Sequence, residues 1–351
     1  MTSSPLTLSG ADPYRLPGFA RTFRPGHLTL GLGFPIRTRA DGDEVGEPTV
    51  QAELARRAED GGFAAVFARD IPLRVPSFGD VGQIHDPWVF LTHIAAHTDR
   101  IALGTAGIVL PVRHPLHVAK SATSLDRVSR GRLLLGLASG DRPEEFRAFG
   151  VELGRQGEVF REHLRVLEHA LTTEMRGVRW SGGWMHSADV VPKPTAARLP
   201  LIMTGTCQQS IAYLAAHGDA YLTYPRDHGA QRRAVGAWRE AVRAADAGAR
   251  AGTTASAETA GTADPGPAYK PFAQSLRLDL SEDPGERESP IPFGFRIGSR
   301  RLVEHLSDLR AIGIDHVLLG LGASRRPVVE VVDELCRDVV PHFPAHGDEE
   351  S

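Results

Sequence analysis

The chain has 351 residues, 41% of them hydrophobic and 24% charged, a balance that supports a sizeable core without help from disulfides or metals. With 40 basic residues against 43 acidic ones the formal net charge is -3, which supplies no electrostatic footprint for nucleic acid or an anionic membrane, so the expected partner is a small molecule. The two cysteines, Cys207 and Cys336, lie far apart in no metal-ligand spacing, and no run approaches the roughly 18 apolar residues of a membrane span, which reads as a cytoplasmic protein.

Residues 1–27 contain Pro5, Pro13, Pro17 and Pro25 but no apolar signal core, and read as an irregular N-terminal arm. From residue 28 to 341, short apolar runs alternate with segments of helical period. Strands are predicted at 28–34, 64–68, 101–110, 132–138, 201–204, 220–224, 273–280 and 316–321. The helices that follow them fall at 48–60, 87–98, 115–128, 158–172, 208–217, 230–247, 299–312 and 326–339. Pro48, Pro87 and Pro115 fit first-turn positions, and Gly61, Gly218 and Gly313 fit helix ends. Eight strand–helix pairs predict an α/β fold, a (β/α)8 TIM barrel with loop insertions, followed by a tail at 342–351. The segment 247–271, rich in Ala, Gly and Thr, reads as a mobile insertion. Asp126 and Arg132 bracket a helix-to-strand turn and are expected to hold it at the barrel's far end, Asp126 pairing with Arg127 or Arg132. In such barrels the active site lies at the C-terminal ends of the strands.

Several motif-like spacings carry no chemistry. Gly31-Leu32-Gly33 lies within a strand, with no third glycine opening a helix. His93 and His97 lack the glutamate of a zinc-protease helix, and Gly136 to Gly140 is one residue out of register for a hydrolase elbow.

Residues 101–150 read IALGTAGIVLPVRHPLHVAKSATSLDRVSRGRLLLGLASGDRPEEFRAFG. The run Gly104-Thr105-Ala106-Gly107-Ile108-Val109-Leu110-Pro111, then His114-Pro115, Leu125-Asp126, Ser129, Gly131-Arg132 and Phe146 to Gly150, resembles the luciferase-like monooxygenases. The resemblance implies a cis peptide between Ala106 and Gly107, with these small residues facing the isoalloxazine ring of a flavin. It implies that Ser139 stands where the luciferases carry a phosphate-binding arginine, and Ala138 where they carry a cysteine. The segment Thr204 to Ser210 is similar to the loop that alkanesulfonate monooxygenases place around FMN phosphate, which makes Gly205, Thr206 and Gln209 cofactor-binding candidates; a glycine-containing loop opening a helix also suits an anion on its own terms. Arg277 and Asp279 share a strand face, and a similarly placed segment reaches the active site in the alkanesulfonate enzymes. A structural ion pair with a neighbouring helix is the competing account of those two charges. Asp70 stands near the place of the luciferases' flavin-edge histidine, as an acid or base or as a loop cap. His114, ahead of His117, follows the third strand tip and is the better ligand-touching candidate.

The function this resemblance implies is a monooxygenase using reduced FMN and dioxygen on a small organic substrate. A separate flavin reductase would supply the reduced cofactor, the chain would form a homodimer, and 247–271 would serve as a lid. Deazaflavin-dependent hydride transfer is the alternative on the same barrel, and a non-catalytic flavin-binding protein is the third reading.

Overall fold

Proline is tolerated in the first helical turn, where an amide N–H would have no partner inside the helix. The computed structural model, which describes residues 12–36, 47–78, 84–253 and 269–347, places Pro48, Pro87 and Pro115 at such positions. They open helices α1 (Pro48–Asp60), α2 (Pro87–Ala95) and α3 (Pro115–Val128). The remaining barrel helices are α4 (Gln156–Thr172), α5 (Ile211–His217), α6 (His228–Thr253), α7 (Ser299–Ala311) and α8 (Val328–Glu334). At the helix ends the glycines divide by role. Gly313 adopts a left-handed φ of 94°, whereas Gly218 stays extended, and a Cβ there would meet Met203 Cγ at 2.6 Å.

Each helix follows a strand: β1 (Thr29–Phe34), β2 (Ala65–Ala68), β3 (Ala102–Thr105), β4 (Leu133–Ala138), β5 (Leu201–Thr204), β6 (Ala220–Thr223), β7 (Phe272–Leu280) and β8 (His316–Gly320). All neighbours pair in parallel, and β8 closes on β1 with Thr29 opposite His316 and Leu32 opposite Leu319, giving the (β/α)8 barrel. The upper half of β7 also pairs with a hairpin strand, Gly294–Ile297. The third predicted strand is divided: β3 stops at Thr105, and Ile108–Val109 pairs separately with β4 beyond the Ala106–Gly107 break. Side chains alternate across the strands. Leu30, Val66, Leu103 and Leu135 pack outward against the helices, while Ala65, Phe67, Ala102, Leu134, Ile202, Leu222, Ala273 and Leu318 fill the interior.

The described part of the N-terminal segment is not an irregular arm. Residues Pro17–Thr22 form a short helix whose Phe19, with Phe23, joins the interior cluster and plugs the floor of the barrel. Gly18 is tied there through its N–H to Gly131 O, and a Cβ at that position would lie 2.4 Å from Arg132 O. Above the plug, Thr29 Oγ1 donates its single proton to Thr22 O at 2.7 Å. The 2.8 Å contact between that oxygen and His316 Nδ1 therefore has the imidazole as donor. His316 Nε2 is then a bare acceptor, consistent with its being buried without a partner.

The C-terminal segment also belongs to the packed body, since Phe343 and Ala345 are buried and His346 N donates to Arg21 O. Of the expected insertion at 247–271, the first part continues α6 to Thr253, and 254–268 lies outside the described residues. The expected pairing of Asp126 with an arginine is not formed. Asp126 accepts from the N–H and hydroxyl of Thr195, while Arg132 donates to the carbonyls of Ala95, Thr98, Ile101 and Ser129. Both side chains are buried at the floor side, where carbonyls at a helix end and loop satisfy the guanidinium that a carboxylate was expected to take.

Candidate active site

The strand tips opposite the plug build the site, beginning with the bulge after β3. The Ala106–Gly107 peptide is cis. Gly107 approaches β4 and β5 so closely that a Cβ there would lie 2.9 Å from Thr204 Oγ1 and 3.1 Å from the carbonyl carbons of Gly136 and Leu137. Beneath it, Thr105 Oγ1 donates to Gly136 O at 2.8 Å and accepts from Gly136 N at 2.9 Å, locking β3 to β4. Thr204 Oγ1, at the end of β5, is buried and has no hydrogen-bond partner. A buried hydroxyl without a partner beside a backbone bulge bare of side chains is the kind of cradle a ligand's polar edge completes.

The chain leaves Thr204 in a strained loop. Gly205 adopts φ 68°, and the non-glycine residues Cys207 and Gln208 follow at 48° and 54°. Each of the latter costs about 1–2 kcal/mol, so local contacts must hold them. The Cys207 thiol turns into the core toward the carbonyls of Thr204 and Leu137, and burial pushes its pKa up to about 12. Gln208 Oε1 accepts from Gly157 N at 3.1 Å, and Gln209 Nε2 donates to Gly157 O at 2.8 Å and Cys207 O at 3.1 Å. Two consecutive glutamines thus clamp both backbone groups of one residue at the start of α4. Ser210 caps α5 by accepting from Tyr213 N.

Between α4 and this loop opens a cleft of about 410 Å³ lined by Gly157, Glu158, Arg161, Gln208, Ser210 and Tyr213 among others. Arg161 is exposed and makes no hydrogen bond or ion pair among the described residues. Burial pushes the Tyr213 hydroxyl up to about 12, with Glu168 adding to the rise and Arg161 opposing it.

The sequence-derived candidates separate into distinct places. Ala106, Gly107 and Thr204 meet at the mouth. Gly205 and Thr206 form the bridge from there, and Gln209 reaches the cleft. Ser139 is buried at the end of β4, with its backbone beside the Cys207 sulfur.

Asp70 sits in an ion pair behind the bulge. Its side chain is fully buried and accepts from Arg113 Nε at 2.7 Å, Arg113 Nη2 at 2.6 Å and Val109 N at 3.0 Å. Arg113 also reaches Asp86 at 2.9 Å. A carboxylate held by three donors in this way fixes the segment just after the bulge, and Asp70 also borders the cleft that His114 lines. His114 lines a second cleft of about 440 Å³, with Trp88, Arg113, His117 and Phe149, on the rim. Its ring contacts are Trp180 and His117, and desolvation lowers its pKa, with His117 and His163 adding to the effect. Arg277 stands on the inner face of β7, while Asp279 is buried against Arg296 at 3.0 Å and Arg325 at 3.2 Å. Asp279 thus takes the structural ion pair, with a hairpin strand and a loop in place of the expected neighbouring helix. Arg113 and Gly157 were not singled out by the sequence because each gains its place from a partner tens of residues away, and Arg161 and Tyr213 because only the fold brings α4 and α5 to one cleft.

A profile described as luciferase-like monooxygenase matches residues 28–283, from β1 through β7. An uncharacterized protein of Mycobacterium tuberculosis is 32% identical over 198 residues, covering 50% of this chain and 68% of that protein. The 4-hydroxyprotoasukamycin monooxygenase of Streptomyces nodosus subsp. asukaensis is 30% identical over 167 residues, 46% of this chain and 45% of that one. Among solved structures, an F420-dependent secondary alcohol dehydrogenase in complex with an F420-acetone adduct superposes with a TM-score of 0.69 at 15% identity, covering 90% of this chain and 98% of that one. The oxygenating constituent of 3,6-diketocamphane monooxygenase from Pseudomonas putida, in complex with FMN, gives 0.66 at 14% identity, with coverage of 90% and 98%. At these identities the structural likeness speaks for the fold.

Proposed function

The chain belongs to the luciferase-like monooxygenase family and is an oxidoreductase, and on that premise we propose that it is a flavin-dependent monooxygenase using reduced FMN and dioxygen on a small organic substrate. The observation that carries this reading is the continuity of the bulge and the cleft through one short loop. A flavin is a flat ring system joined by a flexible chain to a terminal phosphate. The protein offers a small-residue bulge at the barrel mouth beside a hydroxyl that has no partner among the described residues, and a polar cleft edged by an arginine likewise unpaired among them, at the outer end of loop 204–210.

In this assignment Gly107 faces the ring and Thr204 Oγ1 meets its polar edge. Arg161, Ser210 and the Gln208–Gln209 clamp receive the phosphate. Ser139 is buried and neutral, so the charge that the luciferases place at the β4 tip is supplied from α4 by Arg161. Asp70 and Arg113 keep the bulge in position. The bound flavin supplies the redox chemistry, and the protein orients it and keeps bulk water from the reacting face. The reduced cofactor comes from a separate reductase, and the chain works as a homodimer.

A deazaflavin coenzyme shares the ring shape and the phosphate, and the fold likeness to an F420-dependent dehydrogenase supports hydride transfer as the second reading. The deciding experiment is the absorption spectrum and mass of the cofactor that co-purifies, followed by oxygen uptake with reduced FMN. FMN with substrate-dependent oxygen uptake supports the monooxygenase; a deazaflavin with turnover indifferent to oxygen overturns it.

A further inference from the structure

Three features of the mouth remain once bulge, loop and cleft are assigned. The first is Arg277. Ala273 lies in the interior cluster, so by strand alternation Ser275 and Arg277 also project inward. Arg277 is exposed at the lip, and its guanidinium makes no hydrogen bond or ion pair among the described residues. Across the seam to β8 stands Gly320, where a Cβ would lie at an ordinary packing distance, 3.9 Å, from Arg277 Cγ. The phosphate cleft lies beyond β5, two strands away around the barrel, and has its own arginine.

The second feature is an aromatic pair. Tyr224, one residue past β6 and in phase with the inward Ala220 and Leu222, has its ring 5.2 Å from that of Phe293 at an interplanar angle of 34°. Both residues are more than half exposed, at 56% and 57%. Burial raises the Tyr224 hydroxyl above its ordinary pKa, with Asp141 adding to the rise and Arg69 and Arg142 opposing it.

The third is the backbone of Phe293. Its φ is 61°, a conformation that glycine adopts freely and a bulky aromatic residue rarely does. Its carbonyl accepts from Arg277 N at 2.9 Å, so the strained turn holds the aromatic ring beside the arginine's own strand. Strain kept at an exposed aromatic residue signals a ring that is used.

The geometry points to an aromatic carboxylic acid as the substrate class, its carboxylate held in the planar fork of Arg277 and its ring laid against Tyr224 and Phe293. This assignment rests on the reading of the barrel mouth as the reaction site. A neutral aliphatic substrate would use neither the free guanidinium nor the aromatic pair.

The test is calorimetric titration of the protein carrying its purified cofactor with benzoate, methyl benzoate and cyclohexanecarboxylate, with cofactor content read from absorbance in the same samples. Benzoate binds most tightly of the three. Arg277→Gln weakens benzoate about 10- to 100-fold and leaves the ester unchanged, while Arg277→Lys recovers part of the loss. Phe293→Gly, which relieves the backbone and does not lower the melting temperature, weakens benzoate about 3- to 10-fold and leaves cyclohexanecarboxylate unchanged. All three variants retain their cofactor. Equal binding of all three probes, no benzoate binding by cofactor-loaded protein, or loss of cofactor from Arg277→Gln overturns the assignment. Benzoate binding through Arg277 in a protein that holds neither flavin nor deazaflavin overturns the cofactor reading alone.

Discussion

Acidification should destabilise this barrel through one imidazole. His316 is wholly buried, its Nδ1–H is committed to Thr29, and Nε2 has no partner, so protonation would place an uncompensated charge among Phe23, Phe67 and Gly31. Desolvation accordingly drops its pKa from the ordinary 6.5 to about 3. Between those values the unfolded chain binds a proton that the native barrel refuses. Stability is therefore unaffected by this group above about pH 6.5 and falls as the pH drops below it, at up to about 1.4 kcal/mol per pH unit. At about pH 5 the loss is roughly 2 kcal/mol relative to about pH 7.5. Urea unfolding at both pH values, in the wild type and in His316→Gln, isolates this share, because the other histidines titrate in both proteins. The glutamine amide can still donate to Thr29, and its variant should lose about 2 kcal/mol less on acidification. An equal loss in the two proteins would refute the burial argument.

Asp70→Asn should cost about 2–4 kcal/mol in unfolding experiments, since it leaves Arg113 facing an amide in a buried position, with Asp86 as partial compensation. A variant that kept full stability but lost turnover would instead make Asp70 a catalytic residue. Gly157→Ala brings a methyl to 3.1 Å from Gln208 Cβ and should lower cofactor affinity about tenfold with little change in melting temperature. Arg161→Gln should weaken FMN by a similar factor and flatten the salt dependence of its binding, while riboflavin, which lacks the phosphate, binds both proteins alike.

The architecture was legible in the sequence because its signals are local. Pro48 and Pro115 fix the starts of α1 and α3, and Leu201–Thr204 is short, apolar and bounded, so these elements appear where the pattern put them. Local signals also misled. The apolar run 101–110 hid the turn at Ala106–Gly107, where backbone geometry and not hydropathy ends the strand. The floor plug was invisible because two phenylalanines in a proline-rich stretch acquire meaning only once eight strands enclose them. The same holds at the site. Small residues and glycines on the bulge could be read from their order, whereas the clamp joining Gln208 and Gln209 to Gly157, and the tie from Asp70 to Arg113, span 51 and 43 positions and exist only in the folded chain.

The plug has a practical corollary for anyone attaching something to this protein. Phe19 and Phe23 anchor the early chain beneath the barrel, and the late chain comes to the same side, with His346 bonded to Arg21 and its ring 5.3 Å from that of His27. Both ends of the described chain therefore lie on the face opposite the strand tips. A surface tether or a fused domain joined on that side would hold the molecule by its base, leaving the strand tips turned outward to solution.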